Sequence, residues 1–62
     1  MLEDKIEQLK HAKKCYMRDL EPEHMAIVRK GFGLQVASKR RGWLKNQVKR
    51  CDEEIIRLGG SV

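Results

Sequence analysis

Two groups of side chains in this 62-residue sequence have the chemistry to form a site, namely thiols with histidines and a block of basic residues. His11 and Cys15 stand four residues apart, which places them on one face of a helix, and His24 with Cys51 would complete a tetrahedral zinc set. Cys51, however, falls within an apolar stripe, where cysteine is usually a small buried hydrophobic residue. The pattern therefore favours no metal and no cofactor, and a Cys15–Cys51 disulfide is a second minor alternative.

The basic block lies in the middle of the chain. Residues 29–50 contain eight Lys or Arg and no acid, whereas residues 1–28 contain five Lys or Arg against six acids. The net charge of +5 therefore comes from the middle segment, which should attract nucleic acid, anionic lipid or an acidic protein surface. The candidate binding residues are Lys39, Arg40, Arg41, Lys45, Lys49 and Arg50, with Trp43 as an interface anchor.

These residues predict a non-catalytic function. The favoured hypothesis is a small regulatory or accessory protein that binds DNA or RNA through a basic helix at about residues 39–50. The alternative is a protein–protein adaptor or inhibitor that docks the same basic, Trp-bearing helix on an acidic partner surface. A third interpretation is that the charges serve only to keep the helix solvated. The sequence matches the helix-turn-helix motif of DNA-binding proteins poorly.

Other function classes find little support in the sequence. It contains no nucleophile elbow, phosphate-binding loop or evident pair of catalytic carboxylates, so we expect neither an enzyme nor a small-molecule substrate. No apolar run approaches the roughly 20 residues that cross a bilayer, so we expect no membrane partner. Two isolated thiols without a signal peptide are typical of a cytoplasmic protein.

The element that must position the basic residues is a long helix at about residues 34–58. Its apolar residues recur at spacings of three and four, a period that fits a helix and not a strand. The stripe consists of Leu34, Ala37, Leu44, Val48, Cys51, Ile55 and Leu58. Arg41 occupies the one position where this pattern requires an apolar residue.

A first helix at about residues 2–20 supplies the surface on which the long helix packs. Its stripe is Leu2, Ile6, Leu9, Tyr16 and Leu20, with Lys13 in the missing position. Glu21-Pro22 should end this helix and start a helical segment at about residues 22–30. A tight turn at that point predicts that the first two helices are antiparallel neighbours.

Glycines mark the remaining boundaries. Gly31 and Gly33 predict a break or a kink, and both a continuous helix and a short strand hairpin remain open there. Gly59 can adopt the left-handed conformation that ends a helix, which leaves residues 59–62 as a loose tail.

The elements together predict an all-α fold in one domain, residues 1–62. We expect a helical hairpin or short three-helix bundle in which the first helix packs antiparallel on the long C-terminal helix. A chain of this length buries only about 60% of its unfolded surface, so its core is small. Such a small core usually needs a second subunit, and a second apolar edge is available to bind one. We therefore predict self-association, most simply as a homodimer, through the edge formed by Val36, Trp43 and Ile56.

Overall fold

The computed structural model describes the backbone of residues 2–62 and the side chains of residues 3–62. Three helices account for the regular structure of this part: α1 (Leu2–Asp19), α2 (Pro22–Phe32) and α3 (Leu34–Arg57). The predicted all-α class is therefore confirmed. The side chain of Leu2, predicted to begin the first apolar stripe, lies outside the described residues.

Helix α1 packs antiparallel on the C-terminal part of α3, as the sequence predicted. Near the start of α1, the Ile6 Cδ1 atom lies 3.2 Å from where a Cβ of Gly60, beyond the end of α3, would be. Further along, Lys13 pairs with Asp52, and the rings of Tyr16 and Trp43 meet. The partners on α3 thus run backwards as α1 runs forwards, which defines an antiparallel pair.

Helix α2 packs instead on the N-terminal part of α3, so the prediction that α1 and α2 are antiparallel neighbours is wrong. The two helices have few contacts with each other, and each lies along a different part of α3. The reason is that only Leu20 and Glu21 separate them, with Glu21 extended at φ −59° and ψ 144°. Such a connection offsets α2 without reversing the chain. The result is an elongated hairpin, 41 × 14 × 14 Å, whose first arm is α1 followed by α2.

The chain reverses at Gly33, which settles the alternatives for this segment in favour of a break. Gly33 has φ 95° and ψ 167°, a backbone conformation open essentially to glycine alone. Its N–H donates to the Arg29 carbonyl at the end of α2, and its own carbonyl accepts from Ala37 N–H in the first turn of α3. Gly31 remains helical, so α2 runs two residues beyond its predicted end and no strand hairpin forms.

The core lies along the predicted stripe of α3. Ala37, Leu44, Cys51 and Ile55 are buried, and both Leu44 and Ile55 have no exposed surface. Leu34 is wrong as a core residue, because its side chain is 69% exposed. It precedes Leu44 by ten residues, which at 3.6 residues per turn rotates its side chain about 80° away from that of Leu44 and out of the face that packs on α1 and α2.

A two-glycine cap ends α3. Gly59 has φ 88°, its N–H donates to the Ile56 carbonyl, and Gly60 N–H donates to the Ile55 carbonyl. This pair of hydrogen bonds is a Schellman motif and satisfies carbonyls that the last turn leaves open. Gly60, placed in the tail on sequence grounds, is therefore part of the cap. A Cβ there would stand only 2.8 Å from the Ile55 Cγ2 atom.

Candidate functional site

A row of basic side chains follows one side of α3. Arg41, Lys45 and Lys49 are spaced by four residues, so they share a side of the helix and span about 12 Å along its axis. All three are exposed. Arg41 also lines a groove between α2 and α3, and Arg29 of α2 lines the same groove. We call Arg29, Arg41, Lys45 and Lys49 the basic side.

The basic side lacks neutralising partners within residues 2–62. The ion pairs that the structure shows there are Lys13–Asp52 and Arg57–Glu54, and neither includes a residue of the basic side. The sequence explains this, because residues 29–50 offer no carboxylate. The helix α3 is also uninterrupted across the row, so the positions of these charges along it are fixed. This part of the surface can therefore receive an extended anion.

A cluster around Trp43 occupies the opposite side of α3. The Trp43 ring is 45% exposed and meets the Tyr16 ring edge-on, with centroids 5.8 Å apart and an interplanar angle of 87°. The Arg40 guanidinium carbon lies 4.8 Å from the Trp43 ring centroid, which is a cation–π contact. Val36, 47% exposed, precedes Trp43 by two helical turns and so shares its side. We call Tyr16, Val36 and Trp43 the aromatic side.

The six predicted binding residues are thus divided between two sides of α3. Arg41, Lys45 and Lys49 belong to the basic side. Arg40 is engaged by Trp43. Lys39 and Arg50 are exposed and project, by helical periodicity, within about 40° of Trp43. Helical periodicity already separates Lys45 and Lys49 from Lys39 and Arg50, and the uninterrupted helix of the structure keeps these two groups apart.

The second apolar edge is divided in the same way. Ile56 follows Trp43 by 13 residues, which at 3.6 residues per turn places the two side chains about 140° apart. The prediction that Val36, Trp43 and Ile56 form one edge is therefore wrong. Only Val36 and Trp43 share a side, whereas Ile56, 59% exposed, and Leu34 lie on the side of Lys45.

An ion pair fills the gap in the α1 stripe. Lys13 Nζ lies 2.7 Å from Asp52 Oδ1, with 23% and 32% of the two side chains exposed. The Oδ1 atom is inaccessible to solvent and accepts no hydrogen bond, so its contact with Lys13 is an ion pair. The sequence indicated that Lys13 interrupts the stripe, but its partner depends on the register of α1 against α3.

The four metal-ligand candidates do not converge. The Cys15 Sγ and His11 Nε2 atoms lie 4.0 Å apart, yet residues 2–62 contain no group of three or more side chains arranged to hold a metal ion. Cys15 is exposed, Cys51 is buried, and both are free thiols. Burial, reinforced by the Asp52 charge and opposed by Lys13, raises the pKa of the Cys51 thiol. Cys51 is thus a core residue and a weak nucleophile at neutral pH.

An intrahelical pair near the end of α3 completes the electrostatics. The Arg57 guanidinium donates hydrogen bonds to both oxygens of Glu54, one of them from Nε at 3.1 Å. These hydrogen bonds lower the pKa of the Glu54 carboxyl and raise that of Arg57. Arg57 is therefore occupied locally and does not extend the basic side.

The described helices are too short or too polar for a bilayer crossing. Comparisons of the chain with protein-family models, with curated proteins and with solved structures found no match.

Proposed function

We propose that this chain is a small, non-catalytic, cytoplasmic accessory or regulatory protein that binds nucleic acid through the basic side of α3. The observation that carries the proposal is the exposed row Arg41, Lys45 and Lys49, which has no carboxylate within ion-pairing distance in residues 2–62. An extended polyanion satisfies several such charges at once and gains free energy by releasing its counterions.

Duplex nucleic acid fits this surface better than a single strand. Binding of single strands relies on aromatic side chains on which successive bases stack. The only tryptophan of the chain already has Arg40 against its ring and Tyr16 at its edge, and it lies on the side opposite Lys45. The basic side therefore supplies contacts to phosphates without a stacking platform. Such contacts position a protein on a duplex but read little sequence.

The first test is the dependence of affinity on salt. Labelled duplex DNA, duplex RNA and single-stranded DNA are titrated with the protein at low and at near-physiological salt. If the four residues of the basic side each contact a phosphate, the logarithm of the duplex binding constant should fall with that of salt at a slope of roughly −3 to −4. Absence of binding to any nucleic acid at low salt would refute the proposal and favour an acidic protein partner.

The second test locates the binding surface. Lys45→Glu combined with Lys49→Glu should abolish duplex binding while the helical circular-dichroism signal stays unchanged. The matched control is Lys39→Glu combined with Arg50→Glu, two exposed residues of α3 that project close to Trp43, on the opposite side of the helix from Lys45. Both double variants change the net charge by four, so only the place of the change differs. Equal loss of binding in the two would show a general charge effect and not a site on the basic side.

A further inference from the structure

We infer that a second copy of this chain packs against the aromatic side, so that two hairpins stack as layers with their basic sides outward. The accessible surface is 5159 Å², whereas a compact monomer of this 7.3 kDa mass exposes about 4,200 Å². The excess of about 1,000 Å² is comparable with the roughly 800 Å² that each partner buries in a standard interface.

The excess surface is in good part apolar. Among residues 3–62, only Leu44 and Ile55 are large side chains without exposed surface. In the same range, eight large apolar side chains are between 45% and 73% exposed, namely Met17, Ile27, Phe32, Leu34, Val36, Trp43, Ile56 and Val62. The reason is geometric, because a hairpin is a single layer of helices and leaves both faces of that layer open. Covering one face with an identical layer gives a four-helix arrangement with a shared core.

Electrostatics decides which face is covered. If two copies met through the basic side, the row Arg41, Lys45 and Lys49 of one would face the cations of the other without a carboxylate between them. Like charges brought together in this way cost several kcal/mol. Self-association through that side is therefore unfavourable.

The aromatic side has the composition of an interface. Aromatic residues and arginine are enriched in interfaces between proteins, and Trp43, Tyr16 and Arg40 form one contiguous cluster here. The same side carries both signs of charge, since Arg50 and Glu54 line a groove together with Tyr16. A carboxylate has about four acceptor sites, so Glu54 can pair with Arg50 of a second copy while it keeps its hydrogen bonds to Arg57, and a symmetric dimer repeats this contact twice.

Two residues in the first turn of α3 allow a matched test in the absence of nucleic acid. Val36 and Leu34 are both exposed aliphatic residues, at 47% and 69%, and they project from opposite sides of the helix. We expect the wild type to have twice the chain mass by multi-angle light scattering at high micromolar concentration. Val36→Glu should halve that mass, whereas Leu34→Glu should leave it unchanged. Circular dichroism of each variant at low concentration checks that its helices form.

Trp43 supplies a second measurement that needs no variant, because it is the only tryptophan. Its emission should shift to shorter wavelength as the concentration rises and the indole loses contact with water. A wild type that stays monomeric at high concentration would overturn the inference. So would a dimer that Leu34→Glu dissociates and Val36→Glu does not. Both results are independent of the duplex titrations, so this inference and the proposed function can fail separately.

Discussion

Replacing three glycines by alanine, one at a time, should change stability in two opposite directions. Gly31 and Gly42 lie inside α2 and α3, and a Cβ at either would have no atom within 4 Å. Gly33 also has open space around it, but its φ is +95°. The three substitutions thus add the same methyl group without a steric clash, and only the backbone conformation distinguishes them.

The structure gives both the sign and the size of each effect. A glycine in a helix interior costs about 1 kcal/mol relative to alanine, so Gly42→Ala should stabilise the fold by about that amount, and Gly31→Ala, in the last turn of α2, by less. In a domain of this size, 1 kcal/mol corresponds to a rise in Tm of about 4–8 °C. At Gly33, alanine must adopt a region of φ and ψ that costs about 1–3 kcal/mol, so Tm should fall.

Thermal and urea unfolding followed by circular dichroism measures all three effects. The protein concentration is held constant across the series, because the Tm of a self-associating protein depends on it. A neutral or stabilising Gly33→Ala would show that the chain does not reverse at this residue. Failure of Gly31→Ala to stabilise, with Gly42→Ala as the paired comparison, would show that α2 does not extend through residue 31.

Three further predictions concern the core and the thiols. Leu44→Ala should cost about 2–5 kcal/mol because the side chain is fully buried, and an unchanged Tm would mean that the stripe does not form the core. Lys13→Met should lower the free energy of unfolding by about 1–3 kcal/mol, because it leaves a buried oxygen of Asp52 unpaired. In a double-mutant cycle, the addition of Asp52→Leu should recover most of that loss. Iodoacetamide at pH 8 should modify Cys15 well before Cys51, since burial raises the pKa of the Cys51 thiol. Mass spectrometry of the modified peptides measures both rates, and equal rates would contradict the burial of Cys51.

The fold was predictable from the sequence because its determinants are periodic or local. The apolar spacing of α3 identified Leu44 and Ile55, which form the fully buried centre. The left-handed propensity of glycine correctly located the end of α3 at Gly59. Leu34 continues the same spacing, yet it is exposed because ten residues fall short of three full helical turns, which leaves its side chain about 80° from that of Leu44.

The arrangement of the candidate site was less predictable, because it depends on angles around the helix and on contacts between helices. A count of cations in residues 29–50 does not reveal that Arg40 lies over Trp43 while Lys45 projects from the other side. Helical periodicity places Lys45 opposite Trp43, but the contact of Arg40 with the Trp43 ring depends on side-chain conformation, which no spacing specifies. The pairing of Lys13 with Asp52 likewise requires the register of two helices, which no pattern within either one specifies.

The two proposals together have a consequence that neither has alone, namely that the dimer bridges two duplexes. Two hairpins joined through their aromatic sides form a body about 20–24 Å thick, with Lys45 and Lys49 of each copy on opposite outer surfaces. Two duplexes could then bind without touching one another. A duplex fixed to beads should therefore retain a second, labelled duplex when the wild type is added. Val36→Glu should still bind a duplex but retain no second one, because its monomer has one basic side. If Val36→Glu retained as much of the second duplex as the wild type does, one hairpin would have to hold both duplexes. Lys39 and Arg50, which we place on the side away from nucleic acid, would then also bind it.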